Sequence, residues 1–256
     1  MRAESVRGQL GSAFRQTPVF ARNPNCHQTV AESRRAPSGF VSQLGDTVDR
    51  MPRPRRQDYA GATHHVTQRG NDSARVFDGD PDYMLYLGLL AEATRRHGWE
   101  VYSYCLMPNH VHLVLRTPQP TLSRGMAMLS GRYASARNRR LHATGHVFEG
   151  PFHSRLIETD AHLKTALGYV ALNPVRGRLC GHPDEWRWSA HAELCGAASP
   201  IPFILCNDPL GCFHASASRA VNAYVRFVEK QLDGARAGVD ADESSWFGEN
   251  RGQPEG

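Results

Sequence analysis

The order of periodic segments predicts an α+β fold: a ferredoxin-like (split βαβ) antiparallel sheet with helices on one face. A C-terminal helical extension and a disordered N-terminal segment complete the expectation. Three observations support it. Between residues 62 and 158 the apolar pattern switches between strand and helix periods in the order strand, helix, strand, strand, helix, strand. Pro108-Asn109 stands as a turn between two strand-like runs, which makes them a hairpin. Asp80-Pro81, His97-Gly98 and Pro118-Gln119-Pro120 punctuate the helical runs where starts and stops are needed.

Residues 1–50 mix Arg, Ser, Gln, Pro and Gly without sustained periodicity and are expected to be disordered. Met51-Pro52-Arg53-Pro54-Arg55-Arg56 then leads into the first real strand, so the working protein is expected to begin at or near Met51, the preceding segment being an extension or a mis-assigned start. Mass spectrometry of the native N-terminus decides between them.

Ala62 to Gly70 forms the first strand, closed by Gly70-Asn71-Asp72. Asp80 caps the first helix, Pro81 sits in its first turn, and Gly98 stops it. Trp99 to Met107 is the second strand, rich in β-formers. The third strand, His110 to Arg116, follows the turn. Its side chains alternate, so His110 and His112 share one face while Val111, Leu113 and Leu115 share the other. The usual strand order of this fold makes the first and third strands central.

The second helix, about 121–141, buries Leu122, Met126, Leu129 and Tyr133 as one stripe. Its Arg132, Arg137, Arg139 and Arg140 form either a solvated face or a phosphate contact. Residues 145–158 are a loop running into the last strand. A third helix, 161–172, is capped by Asp160, has Leu163, Leu167 and Val170 as its core stripe, and ends at Pro174, which biases Asn173 away from helical geometry. Tyr169 lies roughly 100° from that stripe, near the meridian of His162 and Asn173.

Trp186-Arg187-Trp188-Ser189 is expected to brace the domain, which spans 51–195. Residues 196–233 comprise a linker and a final helix (about 216–233) with Ala220, Tyr224, Phe227 and Val228 at helical spacing. Residues 234–256 form a frayed tail.

The composition, 40% hydrophobic and 21% charged, suits one domain with tails, and no apolar run is long enough for a membrane span. No apolar core of a secretory signal is present near the N-terminus. Six cysteines without CxxC spacing are those of a reducing, cytoplasmic protein. The 10- and 5-residue gaps between Cys195, Cys206 and Cys212, with His214 beyond, are not a zinc-finger pattern. A net charge of +5, with Lys+Arg of 30 made up almost wholly of Arg, leans toward a polyanionic partner. The Arg richness equally fits a GC-rich genome.

Two imidazoles on one strand face can converge on a divalent ion. A polar sheet face is the plainer alternative for any isolated His-x-His pair. A tyrosine hydroxyl ionises only near pH ~10, so it becomes a useful phosphoryl-transfer nucleophile when a metal polarises the phosphate. His110 and His112 as ligands, with the Asn173 amide oxygen as a third, leave positions for phosphate oxygens and suit Mg²⁺ or Mn²⁺.

Pro108-Asn109-His110-Val111-His112-Leu113-Val114 resembles the His-hydrophobe-His (HUH) motif of single-tyrosine transposases. Tyr169-Val170-Ala171-Leu172-Asn173-Pro174-Val175-Arg176 is similar to the tyrosine helix of REP-associated tyrosine transposases and their insertion-sequence relatives. Gln68-Arg69-Gly70-Asn71, Gly145-His146-Val147-Phe148-Glu149-Gly150 and Trp186-Arg187-Trp188-Ser189 are further stretches of that kind. The resemblance implies a catalytic domain for single-stranded or hairpin DNA carrying palindromic repeats, acting in the cytoplasm on the nucleoid. Tyr169 is then the nucleophile, forming a 5′-phosphotyrosine intermediate. His110 and His112 are metal ligands, and Asn173 occupies the position of a third. Relatives work as monomers or homodimers, and this choice stays open.

His162 is expected on a solvated face. His64 and His65 point to opposite sides, and register alone decides which joins the site, so neither is assigned to it. Glu149, His153 and Arg155 are candidate substrate-side groups. The alternative function is a non-catalytic DNA- or RNA-binding regulator built on the same fold. An intact set of His110, His112, Tyr169 and Asn173 favours the enzyme, because a binder needs none of them in that combination.

Overall fold

The computed structural model describes residues 58–199 and 201–237. The expectations for residues 1–50, for the basic run Pro52 to Arg56, and for the tail from 238 onward fall outside these described residues.

Four strands, β1 (Ala62–Arg69), β2 (Glu100–Met107), β3 (His110–Thr117) and β4 (His153–Ile157), form one sheet in the order β2-β3-β1-β4. Every pairing is antiparallel. β1 and β3 are therefore central, as the split βαβ pattern requires.

Helices α1 (Asp80–His97) and α2 (Leu122–Leu141) cover one face of the sheet. The core there joins Val66, Leu106, Val111, Leu113 and Leu115 to Tyr86, Leu87 and Leu90 of α1 and to Leu122, Met126, Leu129 and Tyr133 of α2. Gly98, at φ 65°, stops α1 in the left-handed region where a Cβ is unfavourable. The residue before α1 is Gly79, and Asp80 makes no side-chain cap bond. The carboxylate that closes this end is that of Asp82, which accepts from Asp78 N at 2.8 Å.

The arginines of α2 have protein partners. Arg140 grips Asp82 at 2.6 Å, Arg137 meets Asp78 at 2.9 Å, and Arg132 pairs with Glu92. Asp82 is 2% exposed, so Arg140 supplies the charge that makes its burial tolerable. Arg132 and Arg140 stay solvent-exposed, as a solvated face requires, while all three side chains also tie α2 to the start and middle of α1.

Helix α3 (Asp160–Arg176) lies on the second face of the sheet, where Leu167, Val170 and Leu172 meet Cys105, Met107 and Val114. Its N-cap is Thr159, whose hydroxyl accepts from His162 N, rather than Asp160. The helix also runs through Pro174 to Arg176 instead of ending there. Pro removes one N–H near the helix end, but Gly177 N donates to Asn173 O and Leu179 N to Pro174 O, each at 2.9 Å, so the last turn remains tied. Tyr169 and Asn173 are consequently a true one-turn pair.

Downstream, the Trp186–Ala190 segment lies along the free edge of β2. Leu106 N donates to Trp188 O and Ala190 N to Tyr104 O, both at 2.9 Å, while the Trp186 indole donates to Leu106 O at 3.1 Å. Trp188 stacks on Tyr83 with centroids 4.6 Å apart. The aromatic brace is thus real. Short helices α4 (His191–Leu194) and α5 (Asn207–Leu210) follow. Residues 201–206 lie within the expected linker but pack on the same edge: Ile201 and Ile204 are buried and Leu205 N donates to Val101 O at 2.9 Å.

Helix α6 (Ala217–Ala237) packs against α3 through Ala220, Tyr224, Val228, Leu232 and Ala235. It extends past Asp233, the expected end of the helix, because Ala235 continues the buried stripe. No helix among the described residues is long and apolar enough to cross a membrane.

Candidate active site

The second face of the sheet, under α3, holds the predicted residues together. Antiparallel partners project to the same side, so the pairings Thr67↔His112, Arg69↔His110 and His65↔Val114 set His65, Thr67 and Arg69 beside the two β3 histidines. On β4, His153 lies opposite Thr67 and Arg155 opposite His65. The face is therefore polar along its β1, β3 and β4 strip and apolar toward β2, where Cys105 and Met107 meet α3.

His110 and His112 have ring centroids 4.9 Å apart. The Tyr169 ring stands edge-on to both His112 (5.4 Å) and His65 (5.9 Å). One turn further along α3, Asn173 Oδ1 is 3.0 Å from His110 Nε2. All four predicted residues are buried: relative exposure is 4% for His110, 0% for His112, 3% for Tyr169 and 1% for Asn173. Helix α3 covers this part of the sheet, on the face opposite α1 and α2.

The two histidines are oriented by different neighbours. His110 Nδ1 lies 2.8 Å from Asn109 Oδ1, so an imidazole ligating through Nε2 would place its N–H on Nδ1, where Asn109 accepts it. His112 turns Nδ1 toward His65 Nε2 at 3.1 Å, which assigns its Nε2 to any ligation. Burial, with His110, His65 and Arg176 adding to it, holds the His112 pKa well below the usual histidine range. Burial likewise lowers His65 to about 3, with His162 and Arg155 contributing. Both rings are thus neutral at ordinary pH, the form that can donate a lone pair to a metal.

The donor set fits a divalent ion. Two ligands at ~2.1 Å from a cation and at right angles to each other are roughly 3.0 Å apart, which is the His110 Nε2 to Asn173 Oδ1 separation. The Asn173 Nδ2 atom is buried without a hydrogen-bond partner. Turning that amide around would give Nδ2 a contact with His110 Nε2, whereas a cation favours the orientation observed, with oxygen facing nitrogen.

Arg176 lies over the Tyr169 ring, its Cζ 4.9 Å from the centroid, and its Nη1 donates to Tyr169 O at 3.1 Å. The same guanidinium therefore holds the tyrosine ring from outside and takes up a backbone carbonyl near the Pro174 break.

Two neighbours were missed or set aside at the sequence level. His65 belongs to this cluster, and its adjacent His64 faces the other core, with Nδ1 3.1 Å from Ser154 Oγ. The signal that separates them is strand register: His65 lies two residues from the position opposite His112, so it shares the site's face. His162, expected to be solvated, is half-buried, and its charge acts on His65. His153 and Arg155 are exposed on the site's face at its β4 margin. Glu149 is exposed and continues from the buried pair Val147 and Phe148, which pack into the α1–α2 core.

No curated protein sequence matches the chain. Its fold is similar to a solved structure described as a REP-associated tyrosine transposase bound to a REP hairpin. That likeness has a TM-score of 0.51 and 17% identity, and covers 62% of this chain and 93% of the other. Residues 59–172 match the family described as IS200-like transposase, a span that includes His65, His110, His112 and Tyr169 and stops one residue short of Asn173.

Proposed function

We propose that the segment matching the IS200-like transposase family is a metal-assisted, single-tyrosine strand transferase acting on single-stranded or hairpin DNA. The observation that carries the reading is the packing of Tyr169 against His112 while Asn173, one turn away, meets His110. A packing tyrosine needs neither neighbour. The DNA-bound state of the similar solved structure supports hairpin DNA as the substrate class.

In the proposed reaction the Tyr169 hydroxyl loses its proton as its oxygen bonds to the phosphorus of a phosphodiester. The P–O3′ bond breaks, and the departing 3′ oxygen takes up a proton. The 5′ side remains on the protein as a phosphotyrosine. Attack by a 3′-hydroxyl reverses these bond changes and reseals the strand without hydrolysis. His110, His112 and Asn173 would hold Mg²⁺ or Mn²⁺, which supplies charge neutralisation at the scissile phosphate. In this reading His153 and Arg155, exposed at the margin, would meet DNA phosphates. Tyr169 is 3% exposed, so its hydroxyl has to become accessible before a phosphodiester reaches it.

The test is incubation with single-stranded hairpin DNA from the flanks of the gene, with Mg²⁺ or Mn²⁺. A covalent protein–DNA adduct is expected, abolished in Tyr169→Phe with hairpin binding retained, and strongly reduced in His112→Ala. An adduct that persists in Tyr169→Phe, or hairpin binding with no adduct under either metal, sinks the reading; the second outcome favours a non-catalytic binder.

A further inference from the structure

A second group of ligand-type side chains lies away from Tyr169, where the segment after α3 meets α6. Asp184, His191 and Cys195 bring a carboxylate oxygen, an imidazole nitrogen and a thiol sulfur to within 4.8 Å of one another. Asp184 comes from a 3₁₀ turn (Pro183–Glu185), while His191 and Cys195 stand one turn apart on α4 and its C-cap. His191 Nε2 is 3.3 Å from Asp184 Oδ1 and 3.4 Å from Cys195 Sγ.

Those separations are near the edges of a small tetrahedron. With Zn–N of ~2.0 Å, Zn–O of ~2.1 Å and Zn–S of ~2.3 Å, the N–O and N–S edges come to roughly 3.3 and 3.5 Å. The sulfur also lies 3.8 Å from His191 Nδ1, so it sits beside the ring and must turn about χ1 to meet an ion in the plane of the imidazole.

Two outer contacts orient the other donors correctly. His191 Nδ1 is 2.9 Å from the Tyr224 hydroxyl; an N–H donated there leaves the lone pair on Nε2, facing Asp184 and Cys195. Asp184 Oδ2 is 3.2 Å from His182 Nδ1, and His182 Nε2 is 2.9 Å from Glu229 Oε1. Tyr224 and Glu229 both belong to α6, so each outer contact leads to the same helix.

We propose that Asp184, His191 and Cys195 form a zinc site that clasps α6 to the segment following α3, with water as the fourth ligand. Mixed sulfur, nitrogen and oxygen donors in a small tetrahedral space suit Zn²⁺ rather than the Mg²⁺ or Mn²⁺ expected near Tyr169. Binding releases the Cys195 thiol proton and leaves the thiolate on the metal. The site uses no residue of the proposed strand-transfer reaction and stands independently of it.

Co²⁺ serves as the spectroscopic probe. The full chain, stripped with chelator and titrated with Co²⁺, is expected to show thiolate-to-cobalt charge-transfer absorption that saturates at one equivalent and disappears when Zn²⁺ is added. Cys195→Ser removes the band. Asp184→Asn, a change at an exposed turn that leaves folding intact, weakens Co²⁺ binding at least tenfold, and Cys206→Ser leaves it unchanged. Absence of the band in the wild-type chain, its survival in Cys195→Ser, or unaltered affinity in Asp184→Asn overturns the proposal.

Discussion

His64 sits 1% exposed between β1 and its neighbours, with Ser154 Oγ 3.1 Å from Nδ1 and Thr117 Oγ1 3.4 Å from Nε2. Burial lowers its pKa below the usual 6.5, and Asp58 only partly opposes this. Above that value the ring is neutral in folded and unfolded chains alike. As pH falls through it, the unfolded chain takes up a proton that the folded chain refuses, so stability falls until the lower folded pKa is passed. The cost approaches ~1.4 kcal/mol per pH unit for such a group. Melting temperatures taken between about pH 7.5 and 5.5 should therefore fall less steeply in His64→Gln than in wild type; equal slopes would show that His64 does not contribute. Arg155, exposed at the site's margin, bears on binding instead. Under the proposed function, Arg155→Ala should weaken hairpin binding and lower the slope of log affinity against log salt by ~0.7–0.9, one phosphate's worth. An unchanged slope would place the DNA elsewhere. At this scale the sequence separates His110 and His112 from Val111 by alternation alone. It cannot choose between His64 and His65, because facing is a property of a strand pair, and a one-residue shift in register exchanges the two.

Helix α2 offers a paired test of packing against conformational freedom. A Cβ on Gly125 would meet Trp99 Cζ2 at 2.1 Å and Cη2 at 2.6 Å, and Trp99 is buried with its indole bonded to Thr121 Oγ1. Gly125→Ala must displace a rigid ring and should cost ~1–3 kcal/mol. Gly131, on the same helix, has nothing within 4 Å of the added carbon, so Gly131→Ala should stabilise by ~0.5–1 kcal/mol. Chemical denaturation of both variants measures the difference; two shifts of the same sign would contradict it. The stripe Leu122, Met126, Leu129 and Tyr133 was visible in the sequence because one helix face meets one sheet face. Helix α3 was less legible, since it lies between the sheet and α6 and is buried on more than one side, which blurs any single stripe. Its passage through Pro174 was also hidden: the contacts that hold the last turn come from Gly177, Leu179 and the Arg176 side chain, none of which a rule about proline takes into account.

Across the whole molecule, one sheet separates two cores, and the candidate site belongs to the second. The first core, with α1 and α2, follows from alternation and helical periodicity in continuous sequence. The second needs α3 and α6, which are separated by the β2-edge segment and short helices, so a sequence reading sees α6 as an appendage rather than as the outer wall behind Tyr169. Tyr224, Val228 and Leu232 of α6 are all buried against this core. Burying side chains of this size contributes ~1.5–3 kcal/mol each, so their sum rivals the ~5–15 kcal/mol net stability of a typical protein. Val228→Asp introduces a carboxylate at a position 1% exposed. Undocking α6 is then cheaper than burying the charge. Helix α3 would lose its outer support while the α1–α2 core kept its own. Hydrogen exchange should accordingly accelerate at least tenfold across α3 amides, with a smaller change in α2 and in the β1–β3 ladder. Under the proposed function, adduct formation by Tyr169 should fall in the same variant, because Asn173 and Tyr169 depend on where α3 sits. Equal acceleration in α2 and α3 would mean that the two cores open as one cooperative unit, and unchanged exchange in α3 would mean that α6 does not hold it in place.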